Sequence, residues 1–454
     1  MKTRSIDSRK LLISALVAAT LAGASHAYAA APAAAKVQSH EVQASEYAAF
    51  LKDKYEIALT AGLTKGEFLS ALAEALNVQP AEKPHAFTDL TTSDPLYTDA
   101  AALYALGVIT TDAVGAGQRL SAVNAVQIAV KAAGLKELAY TYPASKTAAA
   151  LAKVKLKPEW LGTTAAQEVA AAVDTGLLPS SYYGEIKLKS GASAALAEVL
   201  IGQTLSVQGL YKHFLGYASD ADIYAKLQDA FAQSDIIQSP ELQAVVDAAL
   251  ERNIVTGYNL KDSRYEANFV DSLSLVYGHS DLKHALQLIG LLRSEGIDAK
   301  VQFEPKTSAF IYLKEWGEPG VSDLYTVKQI ANGNYIEYAK EYDLAFEFAN
   351  AADKQRFDGI VAAYAKKNED DQQGLLYGSW WQPLYYSLTE LPGFKKITNN
   401  KIEHGHYYAQ SFSLQSSSQA VAAGFREIDP SVSVNSYDFW TDVPFFNYLN
   451  GESK

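Results

Sequence analysis

A chain of 454 residues, 48% hydrophobic and 20% charged, is long enough for two or three domains and apolar enough to bury their cores. A disordered chain is thereby excluded. The absence of cysteine removes disulfide frameworks, thiolate metal sites and every cysteine nucleophile. A formal charge of −12 makes the chain a poor partner for nucleic acid, whose binding rests on neutralising phosphates.

In chain order, Arg4, Arg9 and Lys10 precede an apolar run, "LLISALVAATLAGA", and then small residues, "AYAAAP". These are the three parts of a secretory signal over residues 1–29, with cleavage expected after Ala29. The run is too short to span a bilayer comfortably. No second run of that length follows, so no membrane span is expected once the signal is removed. Residues 1–29 carry four bases and one acid, so their removal takes the charge from −12 to −15. Residues 30–45 are Ala-rich and predict a flexible entry segment.

From residue 46 a pattern recurs. "LTKGEFLSALAEALNV" starts at Leu63, "LSAVNAVQIAVKAAGL" at Leu120 and "LKSGASAALAEVLIGQ" at Leu188. Each opens with Leu and polar residues and continues as a helix with apolar residues at i, i+3, i+4 and i+7. In the first, Thr64 and Glu67 have the spacing of a capping box. Upstream, "TDAAALYALGVIT" (98–110) and "QEVAAAVDTGLLP" (167–179) are helices ended by Gly and an apolar pair, which suits a left-handed C-terminal cap. Units of this size cannot close a core alone and are expected to pack on one another.

These strings resemble the S-layer homology module of bacterial cell-surface proteins. "FTDL" (87–90) matches the opening of that module, "AAALYALGVIT" its first helix, and "QRLSAVNAVQIAVKAAG" its loop and second helix. The resemblance covers residues 46–208 as three diverged repeats. It implies an all-α, three-pronged pseudo-trimer that binds a secondary cell-wall polysaccharide linked to peptidoglycan. In the family a basic residue of a Thr-Arg-Ala-Glu motif faces the acidic sugar. Lys65 keeps that place in "TKGE", whereas Ala122 occupies it in the second copy and Ser190, beside Lys189, in the third. The glycan-binding residues so implied are Lys65, Glu67, Asp89 and Lys189. The implied setting is a Gram-positive cell surface.

Residues 209–261 predict a helical connector or a fourth diverged repeat. Beyond them, "DSLSLVY" predicts a strand, "SDLKHALQLIGLLRSEG" a helix, and "DAKVQFEP" and "SAFIYLKEW" two strands joined by a turn. "EYDLAFEFA" and "NAADKQRFDGIVAAYAKKN" repeat strand then helix. That order predicts a ferredoxin-like, split βαβ α+β domain over 262–454.

Aromatic-rich stretches make Trp380, Trp381, Tyr385 and Trp440 candidate ligand contacts, the alternative being that they fill a core. His404 and His406 share one side of a strand and are weak metal candidates without an identifiable third ligand. His279, Ser280, Asp281 and His284 lie at a strand-to-helix turn, where Ser and Asp also serve as ordinary caps. No phosphate loop, dinucleotide fingerprint or calcium loop is present, and no cofactor is expected. No acid spacing selects a catalytic pair. The expectation is an exported envelope protein held at the wall by its repeats and displaying the α+β domain. The alternatives are a secreted polysaccharide-active enzyme or a structural protein with degenerate repeats.

Overall fold

Hydroxyl side chains set three helix starts in the first half of the chain. The computed structural model describes residues 44–83, 85–364 and 385–452. Its first eight helices are α1 (Ala44–Tyr55), α2 (Lys65–Ala75), α3 (Tyr97–Ala105), α4 (Ala122–Ala132), α5 (Lys136–Tyr140), α6 (Ala144–Lys153), α7 (Thr163–Thr175) and α8 (Ala194–Val207). Thr64, Ser121 and Ser193 are the N-caps of α2, α4 and α8, each accepting the backbone N–H three residues on. A left-handed residue follows the end of each of these helices (Asn77, Gly134, Gly209) and of α1, α3 and α7 (Glu56, Gly107, Gly176).

These six helices pack in a cycle: α2 on α3, α4 on α7, and α8 back on α1. Equivalent positions meet in two of the pairs. The sixth residue after the cap, Ser70 in α2 and Gln127 in α4, bonds the residue eight before the left-handed one, Asp99 in α3 and Glu168 in α7. In the third pair the corresponding residues are Val199 and Ala48, both apolar. That pair also packs very tightly. Gly202 of α8 lies under the Tyr47 ring, where an added Cβ would sit 1.9 Å from Cδ1.

The rest of the chain runs β1 (Gly216–Tyr217), α9 (Ile223–Gln233), α10 (Pro240–Glu251), β2 (Gly257–Asp262), β3 (Ser274–His279), α11 (Leu282–Ser294), β4 (Ala299–Tyr312), β5 (Tyr325–Gln329), β6 (Tyr335–Phe348), α12 (Ala351–Tyr364), β7 (Tyr385–Ser387), β8 (Lys395–His404), β9 (Tyr407–Ser413), α13 (Ser418–Ile428), β10 (Val434–Thr441) and α14 (Val443–Leu449). These ten strands form one antiparallel sheet, and eight of them close into a barrel in the order β4–β2–β9–β8–β10–β7–β3–β6, with β6 pairing β4 along its whole length. β1 and β5 are appended outside the ring, on β4 and β6.

The barrel overturns the fold expected from the sequence, an all-α pseudo-trimer followed by a ferredoxin-like α+β domain. The strand order β7–β3–β6–β4 spans only half the wall. β10–β8–β9–β2 supplies the other half and joins it on both sides, so the described strands contain no separate four-stranded sheet with free edges. The two strands and the turn that the sequence predicts over residues 298–316 are replaced by one continuous strand, β4, which ends at Tyr312. Pro305 fits inside it because β1 pairs only Lys300 and Val301, and pairing with β2 begins at Lys306. One side of the strand has no ladder partner at Pro305, and no N–H is missed there.

Alternation along the strands produces two apolar layers outside the barrel and a mixed interior. α9, α11 and α12 cover one outer side, with Leu227, Leu288, Leu292 and Phe357 against Leu275, Val301 and Phe346. α10 and α13 cover another, with Val246, Leu250 and Phe425 against Tyr258, Leu260 and Ile402. Inside, Phe445 of α14 joins Ile397, Phe412 and Phe439 at one end, and Ala267 and Phe269 meet Ala345 at the other. Between these plugs lies a buried charged layer. Glu304 and Asp343 face each other directly across β4 and β6. Lys261 bridges them at 2.5 and 2.9 Å, and Lys306 holds the far oxygen of Asp343 at 2.6 Å.

The helical cycle is pinned to the barrel by a second buried charge group. Lys212 and Lys300 each contact both Glu46 of α1 and Glu347 of β6, at 2.7–2.9 Å. Among the described residues no helix is long and apolar enough to cross a membrane.

Candidate functional site

The three capped helix starts converge. The segment 118–122 lies between the other two: Lys65 N–H donates to the Gln118 carbonyl and Leu120 N–H to that of Leu63 on one side, while Ala122 N–H donates to Ser190 and Ala192 N–H to Leu120 on the other, at 2.8–3.1 Å. Leu63, Leu120 and Ala192 are buried residues of this hub. Arg119 lies over Gly191, where a Cβ would come within 2.4 Å of Nε, so a larger residue there would have to displace the end of the arginine side chain.

Lys65 is the first residue of α2 and is half-buried. Burial lowers its pKa, Asp89 opposes the shift, and Lys131 adds to it. Asp89 faces Lys65 while tying down the loop before α4, its two oxygens accepting the N–H groups of Val114 and Gly115 at 2.8 and 2.6 Å. Those bonds hold its pKa below the usual carboxylate range. Glu67 completes the capping box, accepting Thr64 N–H at 2.6 Å and its hydroxyl at 2.9 Å. Its carboxyl is lowered by that backbone bond first. Next to Lys65, Lys131 forms a buried ion pair with Glu168 at 3.1 Å, and Glu168 also accepts from Gln127 and Tyr140.

The structure thus brings Lys65, Glu67 and Asp89 to one region and places Lys189 elsewhere. Lys189 lies in an exposed turn before α8. The third string starts its helix four residues later than the match on Leu188 implies, at Ser193 rather than Lys189, so the counterpart of Lys65 is Ala194. With Ala122 at the start of α4, only one of the three equivalent positions carries a cation.

In the barrel, Tyr385 is buried in the outer apolar layer, edge-on to Phe394 at 5.1 Å. Trp440 is half-buried on β10 with the Lys396 ammonium 5.1 Å from its ring. Trp380 and Trp381 lie outside the described residues. His404 and His406 flank the β8–β9 turn but face different acids, Glu241 at 3.8 Å and Asp262 at 3.9 Å. His279 and His284 meet between β3 and α11 with their rings tilted by 44° and centroids 4.2 Å apart, and Asp281 caps α11 through the Lys283 N–H. Two features escaped sequence reasoning: the charged barrel interior and a groove beside Asp247. The signal for the first was the charged alternation in "AKVQFEPK" and "YNLKD", which elsewhere marks a solvated face.

No known family model matches the chain, and no curated protein matches its sequence.

Proposed function

We propose that this is an exported cell-envelope protein, held non-covalently on a secondary cell-wall polysaccharide by its cyclic helix pairs and presenting the barrel at the cell surface. The observation that carries the reading is the hydrogen-bonded hub of three capped helix starts with a half-buried cation, Lys65, at one of them. The α2–α3, α4–α7 and α8–α1 pairs set the three capped helix starts side by side, which gives them one common surface for a ligand. A half-buried ammonium beside a carboxylate is suited to an acidic sugar as a point charge, without the fork of an arginine.

Purified cell walls, before and after removal of the linked polysaccharide, distinguish the outcomes when mixed with the mature chain. Sedimentation with intact walls and not with stripped ones is expected. Lys65→Ala should weaken it about tenfold, the size of one charge-assisted contact. A mature chain that stays in solution with intact walls refutes the reading, and unchanged binding by Lys65→Ala refutes the role given to that residue.

A further inference from the structure

A groove of about 460 Å³ lies on the outer face of the barrel, between α10 and the appended strand β5. This volume is in the range of small-molecule sites, roughly 300–1,000 Å³. One face of α10, at the helical spacing of Ala244, Asp247, Ala248 and Glu251, forms its wall. Its floor is Thr326 and Lys328 of β5 with Tyr338 of β6, which is paired with Thr326. β5 pairs only with β6 among the described strands, which leaves the groove open on its far side.

The charges in the groove are unevenly matched. Asp247 is 6% exposed, yet both its oxygens are fixed: one accepts the Tyr258 hydroxyl at 2.5 Å and the other the Tyr338 hydroxyl at 2.7 Å. Those donors are neutral. Its cationic partner is Lys328 at 3.2 Å, whose side chain is 54% exposed and gains little by staying. Glu251, one turn along the same wall, has no ion-pair partner within 4 Å among the described residues. With Lys328 in place the groove carries one excess negative charge, and with Lys328 swung out it carries two. Around these acids stand amide and hydroxyl groups, Gln243 and Thr326, and small alanine steps that admit C–H groups.

We infer that this groove binds an amino sugar with its amine free, the ammonium replacing that of Lys328 at Asp247 and Glu251 and the ring hydroxyls meeting the flanking amide and hydroxyl groups. The site is on the barrel and does not rest on the wall-binding role of the helical cycle. Lys328 acts in it as a built-in competitor, so truncating that one groove residue should tighten binding rather than weaken it.

Calorimetric titration of the mature protein with a glucosamine trisaccharide and with its fully N-acetylated counterpart tests this. Binding of the free amine at least about tenfold tighter than the acetylated form is expected, one charged contact being worth that much. Lys328→Ala should tighten it several-fold and Glu251→Gln weaken it several-fold, both at exposed positions that leave the fold intact. Equal binding of the two sugars, no binding of the free amine, or weaker binding by Lys328→Ala overturns the inference. A lysine-containing peptide that binds as tightly as the sugar overturns the sugar assignment.

Discussion

Replacing Lys261 by Met removes the ammonium that separates Glu304 from Asp343 inside the barrel. Burial alone would depress the Lys261 pKa, but Asp343 and then Glu304 outweigh it and raise the value well above normal. At contacts of 2.5 and 2.9 Å, an effective dielectric near 20 gives about 6 kcal/mol of attraction each. Desolvation of the buried ions cancels much of that, and loss of one partner from such a group costs about 3–5 kcal/mol. Methionine keeps the volume, so the loss is electrostatic rather than a cavity. Glu304 already has a carboxyl raised by burial, while Asp343, with two lysines, is lowered despite its burial. Neutralising the weaker acid should therefore restore part of the loss. Urea unfolding of Lys261→Met, Glu304→Gln and the double variant measures this. A Lys261→Met loss under about 1 kcal/mol, or a double variant no more stable than Lys261→Met, would refute the reasoning.

Three further outcomes are expected. Gly202→Ala drives a methyl into the Tyr47 ring and should lower stability by about 1–3 kcal/mol in thermal unfolding, whereas Gly359→Ala, with open space, should not. Thr64→Ala removes the hydroxyl half of the capping box and should cost about 1 kcal/mol, seen as a lowered urea midpoint. His279, buried and then further disfavoured as a cation by His284, has its pKa pushed down to about 3. Its unfolded form binds a proton near pH 6.5 and its folded form does not, so its contribution is full above that pH and lost as pH falls toward 3. The drop should reach roughly 3 kcal/mol at about pH 4, and His279→Gln should flatten the melting temperature profile over that range.

The first half of the chain was legible where local chemistry decides the backbone. Thr64 with Glu67 marked a helix start, and Gly107 and Gly176 marked helix ends, because caps and left-handed residues act within one turn. The third start was misplaced because Leu188 matched the leading Leu of the other strings, while the hydroxyl that caps the helix is Ser193. The barrel was hidden for a different reason. Lys300, Gln302, Glu304 and Lys306 alternate with other residues as on a half-solvated strand, but all four are buried. Alternation states that a strand has two unlike faces. It does not state that the polar one meets water. Asp247 was hidden in the same way, since nothing in "VVDAAL" shows that tyrosines from β2 and β6 will reach this helix residue.

β2 pairs with β9, more than 140 residues later, and everything from β3 to β8 lies between them in the chain. In a polypeptide that emerges amino end first, β2 leaves the ribosome long before the strand that must lie beside it. Until the segment ending at Ser413 has followed, one seam of the wall stands open with its charged lining wetted. Maturation of this protein is therefore gated by roughly its last hundred residues. Any nascent fragment that stops short of them is an unsealed sheet, a natural client for a holding chaperone or a quality-control protease.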